Sequence, residues 1–201
     1  MIGGINPWAT MWTSPRSTIR TVVNVNPRYG VFYLAWIYAL QSFLYFASYW
    51  SFGLSYSFFT ILIAGIVLSP LIGMIWVYFM AWIFFLTGKW IRGTAPLSHL
   101  RAAVAWSILP SSLTLLMWLI LMIAGTDMVF VHGVSGPSSL FIHFISLVIW
   151  IWSVVLLIIS VREVQGFSAP RAVLNVFLTW VVSWVAWILF FMLGRYIYLN
   201  I

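Results

Sequence analysis

Residues 57–86 contain no acid, no base and no histidine, and no soluble fold has a place for a run of that kind. As a helix rising about 1.5 Å per residue, the run reaches about 45 Å, beyond the roughly 30 Å of a bilayer's hydrocarbon. In lipid every backbone N–H and C=O must find its partner inside the segment, so an isolated run must be helical. Four further apolar runs, 31–50, 97–123, 140–161 and 172–196, are close to the length that crosses a membrane. Hydrophobic residues make up 64% of the chain and charged ones 5%, too few to wet a soluble surface. The expected fold class is all-α: a polytopic membrane protein with a five-transmembrane-helix bundle over 31–201, preceded by an N-terminal segment, 1–30.

Nine Lys and Arg stand against two acids. In a soluble chain that balance would suggest nucleic acid, but these cations lie between apolar runs and act as topology signals and headgroup contacts. With the N-terminus in the cytoplasm, Arg16, Arg20, Arg28, Lys89, Arg92, Arg101, Arg162 and Arg171 fall inside, and only Arg195 falls outside. That bias fixes the expected threading, with the C-terminus outside. There is no cysteine, which removes disulfides, thiolate metal sites and thiol nucleophiles together. The first residues lack an apolar core followed by a cleavage site, so no cleaved signal is expected. Residues 1–30 mix Trp8, Met11, Trp12, Ile19, Val22 and Val23 with Arg16, Arg20 and Arg28, the pattern of a short amphipathic helix in the headgroup layer.

Within the spans, Gly65, Ser69 and Gly73 repeat at four-residue spacing, as do Ala103, Ser107 and Ser111 in the third run. Such stripes let two helices approach closely, so the second and third spans are expected to pair. Pro70 and Pro110 would then break both near the midplane, leaving a helix-packing or ligand site lined by Gly65, Ser69, Pro70, Gly73, Ser107, Pro110 and Ser111. Glu163 is the only acid expected on the cytoplasmic side. A charge pair with Arg162, Arg171, Lys89 or Arg92, near Arg101, would staple the two cationic links together. Trp180, Trp184 and Trp187 share one face of the last span, and Gln41 is a candidate acceptor for an indole N–H. Packing is the preferred reading of that face over a pocket for an apolar ligand.

Two constellations invite a catalytic or metal reading, and both fail on spacing. Gly133 to Gly136 spell G-x-S-G near His132 and His143. However, Ser135 sits in a loop before Pro137, and the membrane histidine lies on the helix that the loop introduces. Asp127, His132 and His143 lack the i, i+4 pairing that presents two metal ligands on one helix face. No catalytic residue, metal or cofactor is expected.

Residues 88–110, GKWIRGTAPLSHLRAAVAWSILP, join the second and third runs. With the GKWIRG elbow, the L-x-x-x-x-A-W-S run from Leu100 and the proline that follows, this stretch resembles the central signature of the Yip (Ypt-interacting protein) membrane-domain family. Residues 160–172, SVREVQGFSAPRA, resemble that family's second signature, an acid-containing, glycine-centred turn before the last helix. An NPW...SPR approach precedes the first span. The resemblance implies five spans, a cytoplasmic N-terminus and emphasis on Gly88, Gly93, Pro110, Glu163 and Gly166, with no catalytic role. Eukaryotic members act in vesicle traffic through Rab-type GTPases and carry a long cytoplasmic N-terminal region with no counterpart here, which leaves Rab binding doubtful. The compact form is similar to prokaryotic relatives, so a bacterial inner membrane is the expected location.

The first functional expectation is a non-enzymatic scaffold or adaptor that binds lipids, other membrane proteins or a second copy of itself, and no nucleic acid. The second is a small transporter or channel with its site between the proline-broken second and third spans. An enzyme is a distant third, since the chain carries little for proton transfer or nucleophilic attack.

Overall fold

The computed structural model describes residues 2–124, 129–131 and 138–200, and among these the regular structure is helical apart from an isolated Ile2–Ile5 bridge. Two short helices open the chain, α1 (Pro7–Thr13) and α2 (Pro15–Val25), each with a proline in its first turn. There the missing N–H costs no hydrogen bond. The Asn6 side chain caps α1 by accepting from the Trp8 N–H. The long helices follow: α3 (Val31–Tyr49), α4 (Phe58–Trp90), the pair α5 (Leu97–Ser107) and α6 (Ser111–Ala124), α7 (Ser138–Gln165) and α8 (Ala169–Asn200). Four of them, α3, α4, α7 and α8, are each long and apolar enough to cross a membrane, and a fifth span results if the bent α5–α6 pair is one.

The register of α3 on α4 is set by small residues. A Cβ on Gly73 would land on the Ala35 carbonyl, and one on Gly65 would meet Phe43 at 2.9 Å. The helices run antiparallel, so Val31 stands level with Val77. From there α4 continues for another 13 residues (78–90), about 20 Å. Around this extension gather α1, α2, α5, the end of α7 and the start of α8, forming one pole of the molecule. The larger core lies here, with Met11, Ile19, Val22, Leu34, Val77, Phe84, Leu100, Trp106 and Leu156 all buried. A smaller cluster at the other pole joins Leu44, Ala47, Ile61, Trp118, Met122 and Phe130.

Two expectations are corrected at this level: α4 runs unbroken through Pro70, and the Gly65–Ser69–Gly73 stripe is taken by α3, not by the third span. Consecutive helices joined by a short loop pack as neighbours, and α3 offers Ala35 and Ala39 to those glycines. The apolar side of α2 is spent on protein contacts: Ile19 and Val22 are completely buried against the bundle, with α2 lying on α7 and α5.

Only the third run is broken, by 40° between α5 and α6. Pro110 has no N–H to continue the ladder and its ring crowds the preceding turn. The local sequence absorbs the break. Ser107, Ser111 and Ser112 donate their hydroxyls to the carbonyls of Val104, Ile108 and Leu109, at 2.7, 2.5 and 2.7 Å. The serines that spacing marked for helix packing therefore serve the bend.

Candidate functional site

The site is built where two chain reversals meet. At the first, α4 ends and Gly93 N–H closes back onto Gly88 O at 2.7 Å, with Arg92 in the left-handed region at φ 67. At the second, α7 ends and Phe167 N–H closes onto Arg162 O at 3.0 Å across Gly166, whose φ of 68 is a conformation that favours glycine. Gln165, the last residue of α7, joins the two. Its Oε1 accepts from the Ala95 N–H at 3.1 Å and its Nε2 donates to Phe84 O at 3.5 Å, with 3% of the residue exposed. Gly88 and Gly93 are the floor under this amide, since a Cβ on either would overlap it, and on Gly93 would also meet Phe167 at 2.8 Å. The glycines of the first signature are thus small because the glutamine of the second occupies their space.

A second polar knot lies one turn deeper. Thr87 donates to Ile83 O at 2.9 Å and accepts from Thr179 and from Asn175 Nδ2, both at 2.8 Å. Thr87, Asn175 and Thr179 are fully buried. The bonds among these three side chains fix how α8 docks on α4, while Asn175 Oδ1 stays buried without a partner, which costs roughly 1–3 kcal/mol. The third support is Trp106, fully buried, whose indole N–H donates to Tyr29 O at 3.1 Å. Trp8 meets it edge-on at 5.1 Å, and Gly30, with φ 75, leaves room for its ring. These contacts lock the N-terminal segment onto α5.

Glu163 is held from a different side than expected. Arg16 Nε reaches one carboxylate oxygen at 2.6 Å and Arg20 Nη2 the other at 2.5 Å. The carboxyl side chain is 10% exposed and the arginines 60% and 58%. Lys89 instead lies 4.3 Å over the Phe85 ring, and Arg92, Arg162 and Arg171 are exposed. Neighbouring residues on a helix point to different sides, so Arg162 cannot share the face on which Glu163 meets α2. The i, i+4 spacing of Arg16 and Arg20 was the available signal, since it places two guanidinium groups above one point. The clasp therefore binds the N-terminal helices to α7 and does not join the two reversals, a task that falls to Gln165.

The other expected groupings do not assemble. Trp180 stacks on Trp150 at 6.0 Å, while Trp184 and Trp187 are 67% and 61% exposed and enclose nothing. Gln41 donates to Ser42 Oγ on its own helix. Pro70 and Pro110 do not form facing breaks, because α4 is continuous and α6 packs chiefly on α3. Asp127, His132 and the G-x-S-G residues lie outside the described residues, as does the side chain of His143.

Among known families, the model described as the Yip1 domain matches residues 8–192, from α1 to the last turns of α8. Comparison with curated proteins and with solved structures gives no match.

Proposed function

Since this multi-pass membrane protein belongs to the Yip1 domain family, we propose that it is a non-catalytic scaffold whose N-terminal pole faces the cytoplasm and whose α8 offers a free surface to lipids and partner helices. The observation that carries this reading is the contrast along α8. Ala172, Asn175, Val176 and Thr179 are buried against α4 and α7, whereas every described residue from Trp187 to Tyr198 is exposed. A helix anchored at one end and bare at the other is suited to receive another transmembrane segment. Five spans, counting α5–α6 as one, put the C-terminus outside. Eight of the nine cations then lie inside, as the positive-inside rule asks. In that threading the extension of α4 beyond Val77, together with α1 and α2, forms a cap in the headgroup layer of a bacterial inner membrane.

The chain has no native cysteine, so the test is direct. A single cysteine at Trp187, carrying a crosslinker that is thiol-reactive at one end and photoactivatable at the other, is expected in intact membranes to join α8 to a second protein chain, either another copy or a different membrane protein. Crosslinking that yields only the monomer would remove the scaffold reading.

A further inference from the structure

Arg101 stands apart from the other cations. It lies on α5, half-buried, with its guanidinium carbon 4.5 Å above the Tyr78 ring and its Nε shut away from solvent without an acceptor. An arginine cannot shed its proton to escape such a site. A ring face offsets part of the lost hydration, but the fork of donors still lacks an anion. Among the described residues no carboxylate reaches it, because Glu163 is already shared by Arg16 and Arg20.

The surroundings identify the missing anion. Leu71, Ile75, Tyr78, Trp82, Phe85 and Lys89 recur at helical spacing and form one stripe along α4. Leu71, Ile75, Tyr78 and Trp82 are 66%, 61%, 45% and 50% exposed. Tyr78 follows Val77, which is level with the start of α3, so the Arg101 end of the stripe lies at the height of Arg28 and Tyr29, where the first span begins. Cations and amphipathic aromatic rings at that height, with aliphatic side chains continuing along α4, match a phospholipid in order: headgroup, glycerol region, acyl chains.

We propose that Arg101 binds the phosphate of an anionic phospholipid whose acyl chains lie along Ile75 and Leu71. The site rests on the membrane reading given above and deepens its lipid side. Guanidinium and phosphate pair in fork geometry, here through the terminal nitrogens of the half-buried side chain, since Nε is closed off. The lipid would also bridge α4 and α5 next to the Gln165 lock, making the pole's stability depend on the composition of the surrounding bilayer.

The test uses the full chain in detergent, with phosphatidylglycerol or phosphatidylcholine of matched chains added, binding read by native mass spectrometry and stability by thermal unfolding. The wild type is expected to prefer phosphatidylglycerol and to unfold at higher temperature with it. Arg101→Gln should lose roughly tenfold of that preference, with Arg101→Lys falling between. Arg195→Gln, which removes the same charge from the exposed far end of α8, should keep the full preference. An Arg101→Gln chain that responds like the wild type would overturn the site, as would an equal loss in Arg195→Gln. Protection by inorganic phosphate equal to that by the lipid would assign the site to a soluble anion and overturn the lipid. Should the Arg101 variants fail to fold, photoactivatable phosphatidylglycerol on the wild type decides: crosslinks must map to residues 75–89 and 97–101, and their absence there rejects the proposal. The crosslinking from Trp187 bears on the scaffold alone, so the two readings can fail separately.

Discussion

The N-terminal pole and the far half of α8 are made of similar residues and are built to opposite ends. At the pole, glycines are occupied spaces: Gly73 faces a backbone carbonyl, and Gly88 and Gly93 face an amide. Buried amides and hydroxyls there bond across helices, as Gln165 does to Ala95 and Thr87 does to Thr179 and to Asn175 Nδ2. In the far half of α8, Gly194 has nothing within 4 Å of where a Cβ would stand, and Trp184 and Trp187 look outward. The difference teaches that in a chain where lipid supplies no hydrophobic drive between helices, specificity comes from close approach and satisfied polar contacts. Apolar surface, abundant everywhere in this sequence, does not mark the site.

Changing glycine to alanine along the chain sharpens the contrast. Gly73→Ala is expected to be the most damaging, about 3 kcal/mol or more, because a backbone carbonyl cannot rotate aside as a side chain can; unfolding in detergent checks it. Gln165→Ala should cost roughly 2–3 kcal/mol, since it strands the Ala95 N–H, and amide hydrogen exchange at Ala95 should accelerate with it. Glu163→Gln should lower stability by about 1 kcal/mol. More than half of each arginine is exposed, so that loss should shrink as salt is raised. Trp184→Ala should stay within about 0.5 kcal/mol, and Gly194→Ala should be neutral or stabilise by about 0.5–1 kcal/mol through helix propensity alone. A large loss at Gly194 would show that the far half of α8 is packed, and the comparison would break there.

The long apolar runs were legible because hydrocarbon length and missing charge leave the backbone one solution. The span limits held to within a few residues for α3, and for the second run the excess length was visible before its purpose. Partner choice was not legible. The four-residue spacing of Gly65, Ser69 and Gly73 announced a close approach but was silent on which helix would come near. Pro70 and Pro110 look alike in sequence, yet one sits inside a continuous helix and the other at a 40° bend. Serines at 107, 111 and 112 and the short α5 distinguish them only once their carbonyl partners are known. Gln165 carried no signal of its own, since an uncharged amide at the end of an apolar helix reads as a solvated cap. Its role follows only from seeing Gly88 and Gly93 beneath it.

The central claim is that the two reversals are held together by one amide seated on glycine, and a double-mutant cycle between Gly88→Ala and Gln165→Ala tests it most directly. If the amide fills the space above Gly88, the added methyl should be costly in the wild type and nearly free once Gln165 is truncated, a coupling of at least about 1 kcal/mol in unfolding free energy. Costs that simply add would contradict the account.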